Sequence, residues 1–105
     1  MSYGLKDETV EGIKGVFAKY PEVDEAILYG SRAKGNFRPG SDIDLTLKGE
    51  WLNLQLLNKI SLAIDDLLLP YNVDLSIYHQ IDNPDLIAHI ERVGKIFYQS
   101  GNRSQ

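Results

Sequence analysis

The chain has 105 residues, a formal net charge of −4 and no cysteine. That length holds one domain with a single core, and the missing thiols exclude disulfides, thiolate zinc sites and cysteine nucleophiles while suiting a reducing cytoplasm. No run approaches the roughly 20 apolar residues of a membrane span, the start lacks the apolar stretch of a signal peptide, and the acidic balance argues against direct nucleic-acid binding.

In chain order, residues 6 to 20 read as an amphipathic helix. Val10, Ile13, Phe17 and Tyr20 form one stripe, Asp7 is placed to cap the start, and Pro21 follows the end. Residues 25 to 29 are a short apolar run that stops at Gly30, the mark of a buried strand. Ser31 to Gly35 begins like a helix with Ser31 as N-cap, and Gly35 limits it to about one turn. Residues 36 to 40 form a turn-rich loop. Residues 42 to 47 alternate polar and apolar, the period of a half-buried strand. Leu52 to Leu69 carries a helical stripe of Leu56, Leu57, Ile60, Ala63, Ile64 and Leu67, and Pro70 closes it.

Residues 72 to 78 alternate again as a third strand. Asn83-Pro84 opens a last helix with Leu86, Ile87, Ile90 and Val93 inward. Residues 95 to 98 supply an edge strand, and residues 100 to 105 read as a frayed tail after a domain spanning 1–99. The expected fold is α/β (α+β): one mixed sheet of about four strands covered by helices. Trp51 and Tyr29 are expected in the core. His79 and His89 are expected at the surface with no role. Leu54, Leu62 and Leu69 fall off the inward stripe of the long helix, as scattered exposure or a partner surface.

The chemistry concentrates in one stretch. Between Gly30 and Ser41 stand Arg32, Lys34 and Arg38 with no acid, and Asp42, Asp44 and Glu50 follow. Strand alternation puts Asp42, Asp44 and Thr46 on one face, with the two carboxylates roughly 6–7 Å apart. Asn72, Asp74 and Ser76 share a face of the third strand. Pairing of these two strands would bring three acids together, and their mutual repulsion calls for a hard cation such as magnesium. Gly30-Ser31 sits where a strand hands over to a helix, a place where backbone amides and a hydroxyl hold an anion. Pro39-Gly40 turns Ser41 and Asp42 back to the same mouth.

Gly30-Ser31, ten residues, Asp42-Ile43-Asp44 and a later strand acid at Asp74 resemble the polymerase-β-type nucleotidyltransferase superfamily. More narrowly, the chain resembles the minimal nucleotidyltransferases (MNT) of prokaryotic toxin–antitoxin pairs, whose antitoxins adenylylate a tyrosine of a partner HEPN-domain ribonuclease. The common family form has Arg where this chain has Lys34. The resemblance implies that Gly30, Ser31, Arg32 and Ser41 bind the nucleotide and that Asp42, Asp44 and Asp74 are catalytic and hold metal. It implies two Mg²⁺ ions as cofactor, ATP as substrate and a HEPN toxin as partner. Two other readings stand beside it: an antitoxin that neutralises by contact alone, and a small-molecule transferase whose acceptor site comes from a partner or a homo-oligomer interface.

Overall fold

The computed structural model describes residues 3–101. The elements are α1 (Asp7–Ala18), β1 (Glu25–Tyr29), α2 (Ser31–Lys34), β2 (Ile43–Lys48), α3 (Leu54–Asp65), β3 (Val73–Ile77), α4 (Pro84–Val93) and β4 (Lys95–Gln99). Among the described residues, sequence patterning misses a 3-10 turn at Tyr78–Gln80. The strands form one mixed sheet in the order β3-β2-β1-β4, antiparallel except for the parallel β2–β3 pair. This is the expected α/β architecture. Among the described residues no helix is long and apolar enough to cross a membrane.

Alternation divides the sheet into two faces. Ala26, Leu28, Ile43, Leu45, Leu47 and Ile77 join the main core against Ile13 and Phe17 of α1 and Ile60 and Ile64 of α3. On the other face Ile27 and Tyr29 pack with Ile90, Leu86 and Val93 of α4. Asn83 caps α4 by accepting from the amides of Asp85 at 2.9 Å and Leu86 at 3.3 Å, with Pro84 in the first turn. Apolar residues thus fill one face entirely and only half of the other. The polar remainder, Asp44, Thr46, Asp74 and Ser76, lies beyond α4.

Several expectations are corrected. The N-cap of α1 is Lys6, and Asp7 falls in the first turn with Glu8, where negative charge still favours the helix dipole. The helix ends at Ala18 rather than residue 20, because Pro21 biases Tyr20 away from helical geometry. In α3 the helix runs 54–65 rather than 52–69: Asn53 caps it through Leu56 N at 2.8 Å, and Leu68 turns left-handed at φ 57° ahead of Pro70. Trp51 is not core; it is 74% exposed, because Leu52 takes the inward position after the Gly49 turn. Leu54 and Leu62 are exposed as expected, but Leu69 packs against the core. The amide of Ser100, the first residue of the expected tail, donates to the carbonyl of Asp24 at 2.9 Å. Residues 102–105 of that tail lie outside the described residues.

Arg32 is the least expected member of the interior. Its side chain is 2% exposed and lies between the rings of Phe37 and Tyr71, with 5.2 and 4.9 Å from the guanidinium carbon to the ring centroids. Its nitrogens donate to the carbonyls of Ser41 (2.9 and 3.1 Å), Tyr3 (2.9 Å) and Pro39 (3.3 Å). A buried charge is tolerated only where every donor is satisfied, and here the planar fork gathers the N-terminal segment and the 36–41 loop around itself. Replacing Arg32 by Ala leaves those carbonyls without their donor and should destabilise the fold by about 2–4 kcal/mol in urea unfolding. Arg32→Lys, which keeps charge without the fork, should recover only part of that loss; full stability in both variants would refute the cage.

Candidate active site

The site begins at the end of β1, where Gly30 adopts φ 76° and ψ −157°. Only glycine occupies that region without strain. A Cβ at this position would also run into the carboxylate of Asp44, so glycine is required twice, for conformation and for the close approach of the acid. Gly30 is the N-cap of α2 and Ser31 its first helical residue, so the helix starts one residue earlier than expected. Gly35, at φ 90°, ends the helix after one turn as expected.

Strand pairing then assembles the acids. In the parallel register Asp44 stands directly beside Asp74, and Thr46 beside Ser76. Adjacent strands lie about 4.8 Å apart, so the two carboxylates project together from one face. In the antiparallel register Tyr29 stands on the other side of Asp44. One row across the sheet therefore reads Tyr29, Asp44, Asp74. Asp42 precedes β2 rather than belonging to it, and is exposed.

Electrostatics follow from this placement. Burial pushes the Asp44 carboxyl above the ordinary range, and the charges of Asp74 and Asp42 push it further. Burial likewise raises the Tyr29 hydroxyl, with smaller contributions from Asp74 and Asp44 and an opposing one from Ser76. The hydroxyls of Ser76 and Thr46 are buried there without completing a hydrogen bond of normal geometry. The mouth therefore carries uncompensated negative charge.

Among the described residues no three acidic or histidine side chains converge closely enough to cage a metal by themselves. Magnesium does not need such a cage: it is commonly held by one or two carboxylates, with waters and substrate phosphates completing its shell. The hard-oxygen pair Asp44 and Asp74, with Asp42 within electrostatic reach, fits that donor chemistry.

The other expected site residues are placed as follows. Ser31 is half-buried beside Gly30. The hydroxyl of Ser41 accepts from the amide of Arg38 at 2.8 Å, and the amide of Ser41 donates to the carbonyl of Arg38 at 2.9 Å, which closes the turn leading into Asp42. Arg32 does not face the mouth; its guanidinium is spent on the loop behind it, and it acts on the site by holding Ser41 in place. Lys34 and Arg38 are exposed.

One neighbour is missed by the sequence reading. His89 of α4 is not a bare surface residue: its Nε2 accepts from the amide of Gly30 at 3.1 Å, and its ring meets Tyr29 edge-on at 6.1 Å. The available signal was its spacing, three residues after Leu86 and one before Ile90, at the border of the inward stripe of α4.

The raised Asp44 pKa has a consequence for stability. Because the fold disfavours the ionised form, metal-free protein should lose stability as pH rises through the window above the ordinary carboxylate value. Asp44→Asn should remove that loss, raising the metal-free Tm at pH 7 by a few degrees, and Mg²⁺ should stabilise the parent more than the variant. A lower Tm for Asp44→Asn in metal-free thermal scans would contradict this electrostatic picture.

Comparisons with known proteins agree with this fold. A toxin–antitoxin crystal structure with AMP-PNP superposes with TM-score 0.69 over 92% of this chain and 76% of that one, at 18% identity. A tri-AMPylated Shewanella oneidensis HEPN toxin in complex with MNT antitoxin gives 0.67 over 91% and 74%, at 16% identity. A nucleotidyltransferase-like protein from Sulfolobus solfataricus gives 0.52 over 89% and 78%, at 20% identity. Among curated proteins, none matches this sequence. The family described as "Polymerase beta, Nucleotidyltransferase" matches residues 11–103, most of the chain, and the protein therefore belongs to the polymerase beta nucleotidyltransferase family.

Proposed function

We propose that this nucleotidyltransferase transfers AMP from Mg–ATP to a hydroxyl group, the acceptor being a tyrosine of a HEPN-type toxin that it neutralises as an antitoxin in the cytoplasm. The observation that carries this reading is the in-register pair Asp44 and Asp74 beside the Gly30-Ser31 turn. The fold shared with an AMP-PNP-bound toxin–antitoxin and with an AMPylated toxin complex supports the nucleotide and the partner.

In this reading Ser31 contacts the triphosphate at the start of α2, and Gly30 leaves room for it. Asp42, Asp44 and Asp74 would hold two magnesium ions together with the substrate phosphates, and the ions would shield phosphate charge and ease ionisation of the acceptor hydroxyl. The acceptor oxygen attacks the α-phosphorus in line, a new P–O bond forms, and the bond to the pyrophosphate oxygen breaks. Pyrophosphate leaves with its negative charge, and Asp74 accepts the hydroxyl proton. Burial and neighbouring charge disfavour the bare Asp44 anion, so it gains from the cation. Positioning and electrostatics do most of the work in such a site, and a small scaffold suffices.

Incubation with Mg–ATP and the cognate toxin should add the mass of AMP to a toxin tyrosine, read by mass spectrometry. Asp42→Ala with Asp44→Ala should lower that transfer roughly 100-fold or more and abolish neutralisation. A second reading is favoured by the exposed Trp51, Leu54 and Leu62: neutralisation by contact. Neutralisation that survives the double substitution intact would select it over catalysis.

A further inference from the structure

We propose that His89 is a positioning residue for the Gly30-Ser31 turn, and that its Nε2 acceptor sets the affinity for the magnesium–nucleoside triphosphate. The inference rests on the nucleotide-binding reading above and names a residue on which that binding depends.

At φ 76° and ψ −157° Gly30 is in a region that glycine alone enters freely, and because glycine has many other conformations open to it, contacts around it select this one. Both peptide planes that meet at Gly30 are held. The plane before it donates its N–H to His89 Nε2 at 3.1 Å. The plane after it carries the Gly30 carbonyl, which accepts from the amide of Lys34 at 3.0 Å. Since each peptide is rigid, fixing both planes fixes φ and ψ of the glycine between them. The direction of the Ser31 amide, and the point where its side chain leaves the turn, then follow.

The second bond is local to α2. The first comes from 59 residues away, so it is the one tertiary restraint of the pair. Its source is itself well anchored. His89 sits on α4 next to Ile90, which is 4% exposed, and Ile90 packs with Ile27 and Tyr29 of β1, the strand that delivers Gly30. The edge-on contact with Tyr29 orients the imidazole. Helix α4 thereby acts as a clasp on the end of β1. Removing the acceptor leaves a part-buried N–H without its partner and frees the turn to relax.

The test compares the parent chain with His89→Gln, His89→Asn and His89→Leu. The Gln side chain places an acceptor at about the reach of Nε2, whereas Asn carries the same amide too short to arrive. Mg–ATP affinity is measured by calorimetry, hydrogen exchange of the Gly30 amide by NMR, and folding by thermal scans. His89→Leu and His89→Asn should weaken Mg–ATP binding about 10–100-fold and speed Gly30 exchange, and His89→Gln should restore both. A Gln variant as weak as the Asn variant, at equal Tm, would overturn the role of the acceptor. Unchanged affinity in all three variants would overturn the proposal and leave the nucleotide-binding reading standing. Tighter binding in the Leu variant would also overturn it, by showing that His89 competes with phosphate. A parent chain that binds no Mg–ATP would sink the parent reading and the affinity claim together, while Gly30 exchange alone would still report the clasp.

Discussion

Two carboxylates, Asp44 and Asp74, stand side by side on neighbouring parallel strands, and most of the architecture around the site follows from accommodating them. Placing like charges in register on adjacent strands, with Asp44 half-buried and Asp74 exposed, opposes folding. The apolar faces of the same strands supply the compensation. Ile43, Leu45, Leu47 and Ile77 are buried on the reverse side, so the register that serves the core is the register that presents the acids. A slip of one residue would bury the acids and expose the core, which is why the arrangement is fixed rather than adjustable.

Around this pair the remaining parts have separable duties. Gly30 gives Asp44 room by lacking a side chain. Arg32 gathers the 36–41 loop from behind and delivers Asp42 to the edge of the mouth through the carbonyl of Ser41. Helix α4 covers the apolar half of the face and reaches the Gly30 amide through His89. A buried cation behind the loop and an acid pair in front of it are held apart by the chain between them. The charge pattern along the sequence, basic then acidic, therefore does not mean that all the basic residues meet the same ligand.

Much of this was legible beforehand. Alternation in residues 42–47 and 72–78 showed which side chains share a face, and Asn83-Pro84 marked the start of α4. Adjacency of β2 and β3 was a condition of the site reading, and the sheet meets it. The misses share a physical cause: they depend on partners distant in sequence. Arg32 looks like one more loop cation until Tyr3 and Tyr71 arrive to enclose it. His89 looks exposed until α4 packs on β1 and brings it to Gly30. Trp51 looks like core by composition, but Leu52 next to it fits the inward position and leaves it outside. Local pattern sets elements and faces; which of two adjacent residues turns inward is decided by packing.

The repulsion between Asp44 and Asp74 is measurable directly by a double-mutant cycle of Asp44→Asn and Asp74→Asn, followed by chemical unfolding with and without Mg²⁺. The account predicts a destabilising coupling between the two charges in metal-free protein, so that the second neutralisation stabilises less than it would alone. Saturating Mg²⁺ should reverse the sign, making the pair favourable. Additive effects in both conditions would contradict it, since two carboxylates that do not feel one another cannot be sharing a cation.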